Sequence, residues 1–153
     1  MPEVSEQLQS EIDRLCAQGD VDVDHARFAD ALGAYWAAWD LLPEPKLACE
    51  AATWILAAGG DANFLGGDFV AGRDNLSTVM HCPGALGIPF LHMRLGQCHF
   101  ELGEHARAIE ELTRAYVGGG AGLFEDEDAK YTDCLPAGAL ADSTPCKPWK
   151  FWK

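Results

Sequence analysis

Two thiol and imidazole pairs, His81-Cys82 and Cys98-His99, are the residues of this chain best equipped for chemistry. Two sulfurs and two ring nitrogens would complete a tetrahedral zinc site. Their adjacency argues against it, because neighbours on one helix point about 100° apart and do not both face one ion. Buried thiols and a partly exposed His81 are the simpler expectation, with no metal and no cofactor. Asp20-Val21-Asp22-Val23-Asp24 begins like a calcium loop, yet His25 stands where that loop needs glycine and Ala31 where it needs the closing glutamate. An acidic turn, with Asp24 capping the next helix, is expected instead. Gly66-Gly67-Asp68-Phe69 looks like part of a nucleotide cyclase signature, but it falls in a turn between helices. No phosphate loop, Gly-x-Ser-x-Gly elbow or His-Glu-x-x-His helix is present, so the sequence points away from an enzyme.

The elements that would hold any site are bounded by size and charge. At 153 residues and 48% hydrophobic content the chain can bury one substantial core. No apolar run approaches the roughly 20 residues of a membrane span, and the acidic start Met1-Pro2-Glu3-Val4-Ser5-Glu6 is unlike a secretory signal. A cytoplasmic protein is expected, with Cys16, Cys49, Cys82, Cys98, Cys134 and Cys146 as mostly buried thiols rather than a disulfide framework. Against 24 acidic residues stand 11 Lys and Arg, a formal charge of -13. That excess disfavours nucleic acid as a partner, and none is expected, since phosphate binding draws on clustered cations. The acids lie in residues 1–128, whereas 129–153 are weakly basic. Such a field keeps a protein soluble, and it also steers basic protein partners.

Apolar periodicity predicts helices throughout. Leu8, Ile12 and Leu15 mark a first helix over 5–17 that Gly19 ends. A second runs from Asp24 to Leu42 and stops at Pro43-Glu44-Pro45. A third covers 46–65, and a fourth runs through Phe69, Leu76, Val79 and Met80. The fifth, 88–102, and sixth, 104–117, are separated by Gly103 alone, as antiparallel neighbours require. Gly118-Gly119-Gly120 stops the sixth. A short seventh helix over 123–135, with Phe124 and Tyr131, would cap the end, and residues 136–153, with Lys147-Pro148-Trp149-Lys150-Phe151-Trp152-Lys153, form an irregular tail.

Within this pattern Gly60, Asn63, Gly67, Phe69 and Leu76 recur 36 residues later as Gly96, His99, Gly103, His105 and Leu112. Small residues at fixed spacing are what closely crossing helices need, and such hairpins bury a continuous core by stacking. Together with Leu95, Ala108 and Ala115, and with Phe28, Ala31, Tyr35 and Ala38 in a partial first copy displaced by residues 19–23, they resemble the tetratricopeptide repeat. The resemblance covers most of residues 5–117. It implies an all-α fold: a stack of about three antiparallel helical hairpins with a capping helix, forming one domain over 1–135 and leaving the tail 136–153.

In that family the first helix of each hairpin lines a groove that binds a peptide or protein element. Carried across, the groove residues are Trp54, Ala57, Asp61 and Phe64, then Phe90, Met93, Arg94, Gln97, Phe100 and Glu101. The Lys and Asn clamp of chaperone-binding members is replaced by Ala57 with Asp61 and by Met93 with Gln97, so a basic or apolar partner fits better than a free carboxyl terminus. Only Arg94 offers an anion contact. The competing reading of each aromatic is core packing, above all for Trp36 and Trp39, which are core or the contact of a homodimer. Residues 41–131, including Trp54-Ile55, His81-Cys82-Pro83-Gly84 and the stretch 124–131, are also similar to small bacterial tetratricopeptide proteins of polymorphic toxin loci. That likeness implies an immunity protein that neutralises a cationic toxin domain. A chaperone or assembly scaffold for a client segment is the alternative, and a zinc protein the third reading.

Overall fold

A computed structural model describes residues 3–141, and among them every regular element is helical. The described residues group into two compact units, one ending at Ala85 and the other beginning at Leu86. The first unit holds α1 (Glu6–Asp24), α2 (Phe28–Asp40), α3 (Glu50–Leu65) and α4 (Phe69–Val79). The second holds α5 (Pro89–Glu101), α6 (His105–Gly119), a 3-10 turn (Ala121–Phe124), α7 (Lys130–Asp133) and α8 (Ala137–Ala141). Consecutive helices pack as the hairpins α1/α2, α3/α4 and α5/α6. No helix among the described residues is long and apolar enough to cross a membrane.

The first hairpin departs from the sequence expectation. Gly19 does not end α1, which starts at the N-cap Ser5, its hydroxyl accepting from the Leu8 amide at 3.2 Å, and continues to Asp24. Gly19 is buried because a Cβ there would lie 2.4 Å from the Tyr35 ring. The same relation holds at Gly60, where a Cβ would meet Leu76 at 2.6 Å, and at Gly96, where it would meet Leu112 at 2.7 Å. In each hairpin the larger partner lies 16 residues after the glycine, so residues 19–23 are the repeat itself and not an insertion into it. Asp24 is accordingly the last residue of α1 and not a cap; Arg27 precedes α2.

The three turns close in one way. The Asp22, Asn63 and His99 carbonyls accept from the amides of Arg27, Asp68 and Glu104 at 2.7, 2.8 and 2.9 Å. This leaves the residue before each donor in the left-handed region: Ala26 at φ 57°, Gly67 at 84° and Gly103 at 78°. Asp68 then caps α4 by accepting from the Ala71 amide at 3.1 Å.

Within the first unit α2 also presses on α3, where the Trp36 ring occupies the space a Cβ on Gly59 would need. The Lys46 ammonium donates to the Trp39 and Leu42 carbonyls at 3.0 and 2.8 Å, satisfying the end of α2. The same ammonium lies 6.0 Å from the Trp39 ring centre, so the half-buried Trp36 and Trp39 side chains both have contacts within the unit. In the second unit, α6 continues through Gly118 to Gly119 and stops at Gly120, φ 76°. The expected single helix over 123–135 is instead the 3-10 turn followed by the short α7. Five residues of the expected tail form α8; its remainder, 142–153 with Cys146, lies outside the described residues.

Gly60→Ala and Gly96→Ala should each cost about 1–3 kcal/mol through overpacking. Gly33→Ala, with nothing within 4 Å of the added methyl, should stabilise α2 by roughly 0.5–1 kcal/mol. Ala26→Gly should also stabilise, by about 0.5–1 kcal/mol, since it relieves the only left-handed non-glycine residue among those described. Urea denaturation of the four variants checks the signs.

Candidate protein-binding surface

The residues assigned to a groove lie on α3 in the first unit and α5 in the second. On α3, Asp61 is 7% exposed and Ala57 fully buried, while Trp54 and Phe64 are half-buried. Phe64 stacks obliquely on Phe69 of α4, ring centroids 5.6 Å apart. Asp61 stands one residue after the contact glycine, as Asp20 does in α1. Both carboxylates act on Tyr35, whose hydroxyl donates to Asp20 at 2.7 Å. Burial first, and then these negative charges, push the Tyr35 phenol well above its ordinary range. Asp22, also buried, receives Arg27 at 2.8 Å. The acidic run 20–24 is therefore the end of a helix with two carboxylates in intrachain contacts, not the expected acidic turn.

On α5, Phe90, Arg94 and Gln97 come together one turn apart and are all buried. The Arg94 guanidinium lies 5.1 Å from the Phe90 ring centre and donates to Gln97 Oε1 at 2.8 Å and to Glu127 at 2.6 Å. Its charge is neutralised within the unit, where an anion contact was expected. Gln97 is wholly buried, and its Nε2 has no hydrogen-bond partner among the described residues. Glu127 belongs to the acidic run Glu125-Asp126-Glu127-Asp128, and its pairing with Arg94 draws this member into the fold.

Phe100 and Glu101 are half-buried beneath α7. Tyr131 meets Phe100 edge-on at 5.4 Å and donates its hydroxyl to Glu101 at 2.6 Å. Lys130 pairs with the same carboxylate at 2.6 Å. Burial works to raise the Glu101 carboxyl, and the Lys130 and Tyr131 hydrogen bonds outweigh it, holding it below the usual carboxylate range. Lys130, Glu127 and Tyr131 thus cover three of the expected contact residues. The sequence names Tyr131 as a cap but not its contacts, nor Lys130 and Glu127, because these pairs join residues about 30 positions apart.

The thiols and imidazoles are spread through the fold. Cys82 and Cys98 are buried, and His99 Nδ1 faces the Glu104 carboxylate at 3.2 Å. Among the described residues no three His, Cys, Asp or Glu side chains cluster as metal ligands would. A pairing the sequence did not suggest joins α5 to α6: His92 Nδ1 lies 2.6 Å from Glu111 and its Nε2 2.9 Å from the Leu86 carbonyl. With two acceptors around one ring, the doubly protonated imidazolium satisfies both. No protein-family model matches the chain, and no curated protein matches it.

The Glu111 hydrogen bond, working against burial, raises the His92 pKa above 6.5. A raised folded-state pKa stabilises most below the unfolded value, so this contribution should be full below pH 6.5 and fall as pH rises through the raised value. Glu111, held low despite its burial, sets the acid limit, losing its share as pH drops below 4.5. His92→Gln should cost about 1–3 kcal/mol at pH 6 and flatten the decline in stability above it, measured by denaturation at a series of pH values.

Proposed function

We propose that this chain is a non-enzymatic protein-binding module, and specifically an immunity protein that neutralises a cationic bacterial toxin domain. The observation that carries the reading is the acidic excess left over once intrachain pairs are counted. Arg14, Arg27, Arg73, Arg94, Arg114 and Lys130 all have carboxylate partners in the fold. Glu125, Asp126 and Asp133 are exposed and make no ion pair among the described residues. An outward negative field accelerates encounter with a basic surface, and a few partly buried aromatics such as Trp54 and Phe64 can then supply short-range affinity. Neutralisation follows from covering the toxin's active surface or its approach to substrate. The similarity to toxin-locus proteins supplies the partner class.

Co-expression with the toxin domain encoded beside it is the direct test. Relief of toxicity and a stable complex are expected; toxicity without a complex removes the reading. The association rate should fall at least about tenfold between low and high salt, because exposed charges are screened beyond roughly 10 Å at 0.1 M ionic strength. Glu125→Lys with Asp133→Lys should lower that rate with little change in dissociation, read by stopped-flow fluorescence.

The half-exposure of Trp54 and Phe64 also suits a scaffold that cradles an extended client segment. In that case Trp54→Ala should weaken a peptide complex by about tenfold or more in calorimetry, with little salt dependence.

A further inference from the structure

His92 joins three parts of the second unit through one ring. It stands on α5, its Nδ1 is 2.6 Å from the Glu111 carboxylate of α6, and its Nε2 is 2.9 Å from the carbonyl of Leu86, in the connector that precedes α5. Its side chain is only 8% exposed, so water is a poor substitute for either partner. An imidazolium donates to both acceptors, whereas a neutral ring has one N–H and must turn a lone pair to the other. Charge decides which bond survives. A hydrogen bond to a carboxylate is roughly twice as strong as one between neutral groups. The remaining proton therefore stays on Nδ1, and the Leu86 carbonyl then faces a lone pair at 2.9 Å.

The segment around that carbonyl has room to move. The Leu86 side chain is 68% exposed, the Ala85 amide reaches the Cys82 carbonyl only at 3.4 Å, and a Cβ at Gly84 or Gly87 would meet nothing within 4 Å. The Thr53 hydroxyl ties the connector earlier, donating to the Pro83 carbonyl at 3.1 Å. Residues 83–88 include no titratable side chain, so the groups that set the protonation of the ring stand on the helices. From α6, Glu111 favours the proton, and Arg114, 3.3 Å from Glu111 and also paired with Glu110, opposes it. From α5, His99 acts on Glu111 as well. Leu86 and Gly87, with Pro89, His92, Thr113 and Val117, line a pocket of about 470 Å³. The fate of the carbonyl is thus the fate of a pocket wall.

We propose that His92 is a proton-operated latch: protonated, it fastens the Leu86–Gly87 segment to α5 and α6, and neutral, it keeps Glu111 and lets that wall of the pocket go. Because the pKa of the ring is raised, the latch is closed at pH 6.5 and opens as pH rises through the higher value. Local release of the connector, and not unfolding of the unit, is what the lost bond produces. The inference is independent of the toxin reading.

The test is a pH titration by NMR of the full chain, isotope-labelled in its backbone and imidazole nitrogens and its leucine carbonyl carbons, with His92 and Leu86 assigned through His92→Gln and Leu86→Met. Expected are a neutral His92 with its proton on Nδ1 and a Leu86 carbonyl shift that moves with the same midpoint. The order parameters of the Leu86 and Gly87 amides should fall over that range from about 0.85 to below about 0.6. In Glu111→Gln the charge that keeps the proton on Nδ1 is gone, so the neutral ring should carry it on Nε2 and the Leu86 carbonyl should hold its low-pH position. A neutral ring protonated on Nε2 in the unaltered chain overturns the proposal, as does a Leu86 carbonyl that ignores the His92 titration. Unchanged order parameters overturn it too, because the bond is then lost without release, and so does a carbonyl that still moves in folded Glu111→Gln. If that variant does not fold, the unaltered chain decides alone.

Discussion

Each hairpin depends on the approach of two helices at a position where one of them has no side chain. A Cβ at Gly19, Gly60 or Gly96 would fall within 2.4 to 2.7 Å of Tyr35, Leu76 or Leu112, well inside contact distance. The large partner therefore fills the space the glycine leaves, and its burial is the return for a glycine in mid-helix. Twelve residues after each glycine a second small residue, Ala31, Gly72 or Ala108, is buried on the facing helix. Seven residues after the same glycine comes the left-handed turn residue. Crossing point and turn are thus locked at a fixed separation, and the side chains on either flank inherit their positions from that frame.

The frame also divides the charge. An acid beside the contact glycine cannot reach water freely, and Asp20 and Asp61 are buried there. In the first hairpin Tyr35 meets Asp20 with a hydroxyl, where the later hairpins have Leu76 and Leu112. The third hairpin has Gln97 at the same place, and Arg94 one turn earlier takes the amide oxygen. Part of the acidic composition therefore belongs to the hairpin interior, and only the remainder can act on a partner at a distance. A formal charge of -13 overstates the outward field for that reason.

The hairpin signature was legible where the spacing was regular. Gly60 with Leu76 and Gly96 with Leu112 stand 36 residues apart, and the helices, turns and contacts follow. The first copy was concealed because the interval to the second is 41 residues, and because Gly19 looks like a helix stop. The hairpin has the same internal spacing; the extra length lies in helix ends, α2 having 13 residues to the 11 of α4, and α3 ten residues before Gly60 where α5 has seven before Gly96. Glycine ends a helix when its amide and carbonyl lack partners, but a buried glycine facing a tyrosine ring continues it. Single-sequence periodicity does not distinguish the two. The α7 cap was harder still, since the Tyr131 contacts to Phe100 and Glu101 join elements 30 residues apart.

These contacts change what the candidate surface can be. A groove residue must present atoms to a partner, yet Asp61, Phe90, Arg94 and Gln97 are at most 7% exposed. Displacing Arg94 from Glu127 to serve an incoming group would break its ion pair with a half-buried carboxylate, which is destabilising. Phe100 and Glu101 keep some exposure, but Tyr131 and Lys130 hold them, so a partner meets α7 at the same place. On the second unit Glu125, Asp126 and Asp133 stay exposed and outside these pairs, so the packing around Arg94 and Glu101 does not engage them.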